Sequence, residues 1–108
     1  MGRASDALID FIEGVPDGKL RGFSDPNPAY TVYQTLDFRL DVQNMTPGDP
    51  PMYNIQVQIN RETSISTLKR MNQKSKKSGT TVARALVPAD GSWDAISVRQ
   101  ALINGRMV

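Results

Sequence analysis

Residues 53–60 alternate without a break: Tyr53, Ile55, Val57 and Ile59 are apolar, and Asn54, Gln56, Gln58 and Asn60 between them are amides. In a pleated strand successive side chains point to opposite faces, so a period of two predicts a strand with one greasy and one wet side. A second alternation precedes it. From Tyr30 to Val42 the even positions read Tyr30, Val32, Gln34, Leu36, Phe38, Leu40 and Val42, against Asp37, Arg39, Asp41 and Gln43 on the odd side. Thr46-Pro47-Gly48-Asp49-Pro50-Pro51 lies between the two segments and is turn chemistry. Together they predict one long strand, a turn, and a second strand returning antiparallel.

A third strand is expected over Thr80–Val87, with Thr81, Ala83, Ala85 and Val87 opposing Thr80, Val82, Arg84 and Leu86. Pro88 ends it and Asp90-Gly91 turns the chain. Ser92 then reads as the N-cap of a helix from Trp93 to Asn104, closed by Gly105. Val98 and Leu102 recur at helical spacing with Ala95, Ile96, Ala101 and Ile103 beside them. Trp93, Ile96, Val98 and Leu102 are thus the expected packing residues of this helix against a sheet or a dimer partner. Asp94 in its first turn and Arg106 past its end suit the helix dipole.

Two segments stay open. Ala4, Ala7, Leu8, Phe11 and Ile12 fit a short amphipathic helix, but Pro16-Asp17-Gly18 is a tight-turn signature that would also suit a hairpin with arms at 8–13 and 19–23. Residues 64–79 are polar and basic and read as a long loop, in which Ile65, Leu68 and Met71 could close a helical turn or two.

With 108 residues the chain is expected to form a single domain, 1–108. Its Leu, Ile, Val and Phe number 25 of 108, about 23% and just above the level that signals disorder. A core that thin predicts burial completed between subunits. Cys and His are both absent. That removes disulfides, thiolate metal ligands, a cysteine nucleophile and the commonest general base. No apolar run approaches a membrane span, and the first residues lack the long apolar stretch of a signal peptide. Asp6 and Asp10, or Asp37 and Asp41, are the only paired carboxylates of note, and their spacing suits solvent-facing positions better than acid–base work. The expectation is a protein that is no enzyme, without cofactor, metal, membrane or small-molecule substrate.

Charge is unevenly spread. Residues 1–60 carry 4 basic and 8 acidic side chains, whereas residues 61–108 carry 9 basic and 3 acidic. Lys69, Arg70, Lys74, Lys76 and Lys77 fall in one stretch, which reads equally as a solvated loop or as an attraction for polyphosphate. On the wet side of the strands, Asn54, Gln56, Gln58, Arg39 and Gln43 carry donors and acceptors suited to base edges and ribose hydroxyls, or are simply solvated strand residues.

The segment Tyr53-Asn54-Ile55-Gln56-Val57-Gln58-Ile59, preceded by Leu40-Asp41-Val42-Gln43 and a polar turn, resembles the central hairpin of coat proteins of the small single-stranded RNA bacteriophages, the leviviruses. Thr81 to Trp93 followed by a helix is similar to that family's final strand, turn and first helix, and Gly22-Phe23-Ser24-Asp25-Pro26 is similar to some members. The likeness spans residues 20–106 in outline.

The resemblance implies an α+β subunit. Its antiparallel sheet would have about five or six strands, with a C-terminal helix on one face, joined in an intertwined homodimer with a continuous sheet. It implies a capsid protein assembled in the host cytoplasm into an icosahedral virion around viral RNA, with a maturation protein as a further candidate partner. Arg39, Asp41, Gln43, Asn54, Gln56 and Gln58 would then line an RNA-binding face, with an operator hairpin in the RNA as a further candidate ligand. Lys69, Arg70, Lys74, Lys76 and Lys77 would lie in a loop facing the packaged RNA. The family's N-terminal β-hairpin would also displace the helical reading of residues 4–13. Two departures stand against it: one C-terminal helix instead of two, and Asp37 and Asp41 on a face meant for phosphate. The rival expectations are a tail-terminator or head–tail joining protein, and a single-strand-binding module, for which seven aromatic residues offer few stacking platforms.

Overall fold

The structure, a computed structural model, describes residues 7–20, 30–73, 76–88 and 93–107. In chain order these form α1 (Ala7–Gly14), a 3-10 turn (Asp17–Lys19), β1 (Tyr30–Gln34), β2 (Phe38–Thr46), β3 (Met52–Ile59), α2 (Ile65–Arg70), β4 (Thr81–Pro88) and α3 (Ala95–Asn104). The four strands make one antiparallel sheet in the order β1-β2-β3-β4. The architecture is α+β, as the alternation of 53–60 and the helical spacing of 95–102 require.

Three rows of the ladder define the buried side. Tyr33, Leu40, Val57 and Ala83 stand in register across all four strands, Val42, Ile55 and Ala85 form the next row, and Phe38 pairs with Ile59. Leu40, Val42, Ile55, Val57 and Ile59 are fully or almost fully withdrawn from water. Burying a side chain of this size contributes about 1.5–3 kcal/mol. Helices α1 and α3 roof this layer. From α1, Leu8, Phe11 and Ile12 point inward, with the Phe11 ring 5.3 Å from Phe38 and 5.8 Å from Tyr33. From α3 come Ala95, Val98 and Leu102.

The structure corrects several expectations. The alternation from Tyr30 to Val42 is two strands, not one. Thr35 N–H donates to Phe38 O at 2.9 Å, and the Thr35 hydroxyl accepts from the Asp37 and Phe38 amides, so the chain reverses at 35–37. Leu36 sits at the tip, 86% exposed. Period two survives across a short reversal, so it could not reveal the turn. The sheet has four strands among the described residues, not five or six.

Residues 7–14 are helical, so the hairpin expected there from the phage resemblance is wrong, and the local spacing of Leu8, Phe11 and Ile12 decides. Within 64–79, residues 65–70 form α2. Ser64 caps its N-terminus by accepting from Thr67 N–H, and Leu68 and Met71 bury its inner side. Asn72 ends it at φ 63°, a left-handed position that Asn tolerates better than most residues. The Gln73 and Asn72 amides donate to Leu68 O and Lys69 O, closing the last turn.

Helix α3 begins at Ala95 rather than Trp93. Its cap is Asp94, whose carboxylate accepts from Ser97 N–H at 2.8 Å, not Ser92. Val82, which the alternation sets with Thr80, Arg84 and Leu86, is buried while Arg84 and Leu86 are exposed, because a bulge between 57 and 58 shifts the β3–β4 register. Ser92, Asp90-Gly91, the 22–26 segment and residue 4 lie outside the described residues.

Candidate functional site

The face of the sheet turned away from α1 and α3 is built from two rows. Thr31, Asp41, Gln56 and Arg84 are in register across all four strands, and so are Gln34, Arg39, Gln58 and Thr81. The sequence-predicted residues Arg39, Asp41, Asn54, Gln56 and Gln58 are therefore brought together on one surface. Gln43, half-buried, follows Val42 on β2 where the ladder to β3 is interrupted by a bulge.

The polar groups of this face satisfy one another. Arg39 Nη2 donates to Thr31 Oγ1 at 2.6 Å and to Asp41 Oδ1 at 3.3 Å. Its Nε lies 3.2 Å from Asp41 Oδ2, a charge–charge contact without the direction of a hydrogen bond. Asp41 is only 3% exposed, so this is an ion pair largely removed from water. Thr81 Oγ1 donates to Gln56 Oε1 at 3.0 Å. What remains available is smaller. Arg84 is exposed and makes no ion pair with a described residue. Asn54 Oδ1 is buried with no hydrogen-bond partner among the described residues, and Leu86, its register partner on β4, is 56% exposed.

Asn60, the last amide of the alternation, serves a different purpose. Its Nδ2 donates to Thr35 O at 2.7 Å and its amide N–H to Asp37 O at 2.9 Å, so it braces the β1–β2 turn. The basic stretch is also divided. Lys69 and Arg70 occupy the last turn of α2, where a cation suits the helix dipole. Lys76 and Lys77 follow in the approach to β4, and Lys74 lies outside the described residues.

The packing residues expected on the last helix separate as well. Val98 and Leu102 are fully buried. Trp93 packs against the core from just before the helix, with its ring N–H donating to Pro88 O. Ile96 is 74% exposed and is not among the described residues that pack against the core.

The outer edge of β4 is partly covered by the chain's own C-terminal segment. Arg84 N–H donates to Gly105 O at 3.2 Å and Met107 N–H to Val82 O at 2.9 Å, so the backbone groups of 82 and 84 point away from β3. Backbone direction repeats every second residue in an antiparallel strand. Leu86 therefore turns its own N–H and C=O outward too, beyond the reach of residues 105–107. Sequence reasoning missed this feature; the signal was a lone leucine in the polar register of Thr80–Val87. Among the described residues no cluster of three or more acidic side chains is placed to hold a metal ion, and no helix is long and apolar enough to cross a membrane.

Residues 26–104 match the family model described as HrmA: Subtelomeric hrmA-associated cluster protein. No curated protein and no solved structure matches the chain. The family match overturns the phage resemblance, because it covers the hairpin and helix on which that resemblance rested and assigns them to a family of subtelomeric cluster proteins. The capsid function, the virion location and the tail-terminator or head–tail joining alternative fall with it. The shared pattern of an alternating hairpin, a strand and a helix is a property of many antiparallel sheets roofed by helices, and does not distinguish a coat protein.

Proposed function

The chain belongs to the HrmA family, the subtelomeric hrmA-associated cluster proteins, and from that premise we propose a non-enzymatic role as a self-associating module. Two copies join edge to edge through β4 and extend the antiparallel sheet across the pair. The observation that carries this reading is Leu86, an exposed apolar side chain on a strand edge whose backbone donor and acceptor both face outward. Unpaired edges of this kind are templates for pairing with another chain.

A two-fold axis at Leu86 suits an antiparallel pair. Leu86 then exchanges both of its backbone hydrogen bonds with the same residue of the second copy, which is the self-complementarity an isologous interface needs. Arg84 falls opposite Pro88 of the second copy, so like charges do not meet; the backbone pairing is confined to Leu86, because Arg84 N–H is already held by Gly105 O and Pro88 has no N–H to give. Ile96 at the start of α3 adds a second exposed apolar side chain. The non-enzymatic part of the reading is supported by the open face itself, where Arg39, Asp41, Thr31, Gln56 and Thr81 are engaged with one another.

Sedimentation equilibrium tests the proposal. The wild-type chain is expected at the mass of two copies, and Leu86→Lys, an exposed change that leaves the fold intact, at the mass of one. A monomeric wild type, or a Leu86→Lys variant that still sediments as a pair, overturns it.

A further inference from the structure

We propose that a bay beside the start of β4 binds the phosphate group of a small anion. The bay is shallow and open to solvent, about 530 Å³ in volume, and is lined by Arg61, Lys77, Ser78, Gly79 and Thr80. Small-molecule sites run from about 300 to 1,000 Å³, so there is room for a phosphate and for part of the molecule that carries it. Both cations in the lining are exposed, and neither forms an ion pair with a described residue. No carboxylate is among its lining residues within the described part of the chain.

The chain holds this corner firmly. Gly79 N–H donates to Ile59 O at 2.7 Å and Ile59 N–H to Thr80 O at 2.9 Å, which carries the β3–β4 pairing past the end of the strands. Ser78 Oγ donates to Thr63 O at 3.0 Å, and the Thr63 hydroxyl donates to Leu36 O at 3.1 Å. Gly79 sits at φ 87°, a conformation that favours glycine. The turn that carries Lys77 along the same bay as Arg61 is therefore fixed by backbone bonds and not by the two cations.

The donors left over decide the ligand class. The Gly79 and Thr80 amides are already used, and the Ser78 hydroxyl is committed to Thr63 O. Recognition falls to the Arg61 guanidinium, the Lys77 ammonium and the Thr80 hydroxyl. A guanidinium and an ammonium lining one bay supply two positive charges, which suit a dianion such as a phosphate better than a singly charged carboxylate. This inference concerns the corner at 61 and 77–80 and is independent of the pairing through Leu86.

Amide chemical shifts of the full-length chain, followed at constant ionic strength, provide the test. Inorganic phosphate and adenosine 5′-monophosphate are titrated separately. Saturable shifts confined to residues 61 and 77–80 are expected, together with a rise in Kd of about ten-fold or more in the Arg61→Gln/Lys77→Gln double variant. Tighter binding of the monophosphate identifies an ester as the ligand, and equal affinities identify free phosphate; both support the site. The proposal is overturned if neither probe gives saturation, or if Lys69 and Arg70 shift in parallel with the bay, which would mean diffuse counterion binding. Unchanged amide positions at Val57 and Leu102 in the double variant establish that any loss of binding is not a loss of fold, and Lys77→Ala alone supplies an independent, milder decrease.

Discussion

Arg99 Nη2 lies 2.9 Å from Asp17 Oδ1, tying the last helix to the turn that follows the first. The same guanidinium donates to Val15 O at 2.5 Å and to Ile12 O at 3.3 Å. The carbonyls at the end of α1 have no partners within their own helix, and a cation there also suits the helix dipole. One side chain from residue 99 therefore finishes a helix that begins at residue 7.

Removing the guanidinium should cost far more than removing the carboxylate. Arg99→Met leaves Val15 O without its donor and Ile12 O with the Val15 N–H alone, and is expected to lower unfolding stability by about 1–3 kcal/mol. Asp17→Asn is expected to cost no more than about 0.5 kcal/mol, because the Asp17 side chain is largely in water. Urea unfolding of both variants checks the ranking, and equal losses would contradict it.

How far the sequence disclosed this fold depends on the range of the forces involved. The strand at 53–60 and the helix at 95–104 were legible because burial imposes their periods on the residues themselves. The reversal at 35–37 was not, since Leu36 occupies an apolar position in the pattern while the hydrogen bonds from Thr35 and Asn60 that make the turn leave no periodic trace. The open face was readable as a set of amides, but the Arg39–Asp41–Thr31 cluster depends on cross-strand register. The β4 edge at Leu86 and the corner at Arg61 and Lys77 join residues distant in sequence, and only the folded chain brings them into view. The phage resemblance failed for the converse reason: it rested on pattern and order, which unrelated sheets share.

The turn at Leu36 yields a direct contrast with its neighbour in the alternation. Leu36→Ser should change stability by less than about 0.5 kcal/mol, since surface substitutions away from special features rarely do more. Leu40→Ala, four residues on, removes a fully buried side chain and should cost about 2–5 kcal/mol. Were residues 30–42 a single strand, both changes would be severe. Thermal or urea midpoints of the two proteins discriminate between the arrangements.

The Arg39–Asp41 pair should be costly to break and cheap to replace. Asp41→Ala leaves a half-buried guanidinium holding only Thr31, and is expected to destabilise by about 3 kcal/mol, at the lower end for buried pairs. The double change Arg39→Met/Asp41→Leu removes both charges together and should come within about 1 kcal/mol of wild type. A double-mutant cycle measures the coupling, and additive losses would show that the pair contributes nothing beyond its separate side chains.

Three glycines should respond to alanine in three different ways. At Gly105 an added Cβ would lie 1.9 Å from Arg84 O, where the end of α3 crosses the edge of β4. Its φ is −91°, so the demand is for space and not for a left-handed backbone. The obstacle is main chain and cannot rotate away, so Gly105→Ala has to push residues 105–107 off β4, and a loss of about 3 kcal/mol or more is expected, at the large end for point changes. At Gly79 the added carbon would make only an ordinary 3.9 Å contact with Arg61 Cγ, but φ is +87°; the penalty there is about 1–2 kcal/mol of backbone strain. At Gly14 nothing lies within 4 Å, and the alanine is expected to stabilise by about 0.4–1 kcal/mol through the unfolded chain. Denaturant midpoints should order the variants 14, 79, 105 from most to least stable. Hydrogen exchange at the Arg84 and Met107 amides should accelerate in Gly105→Ala and not in the other two, because those amides carry the bonds between β4 and the C-terminal segment.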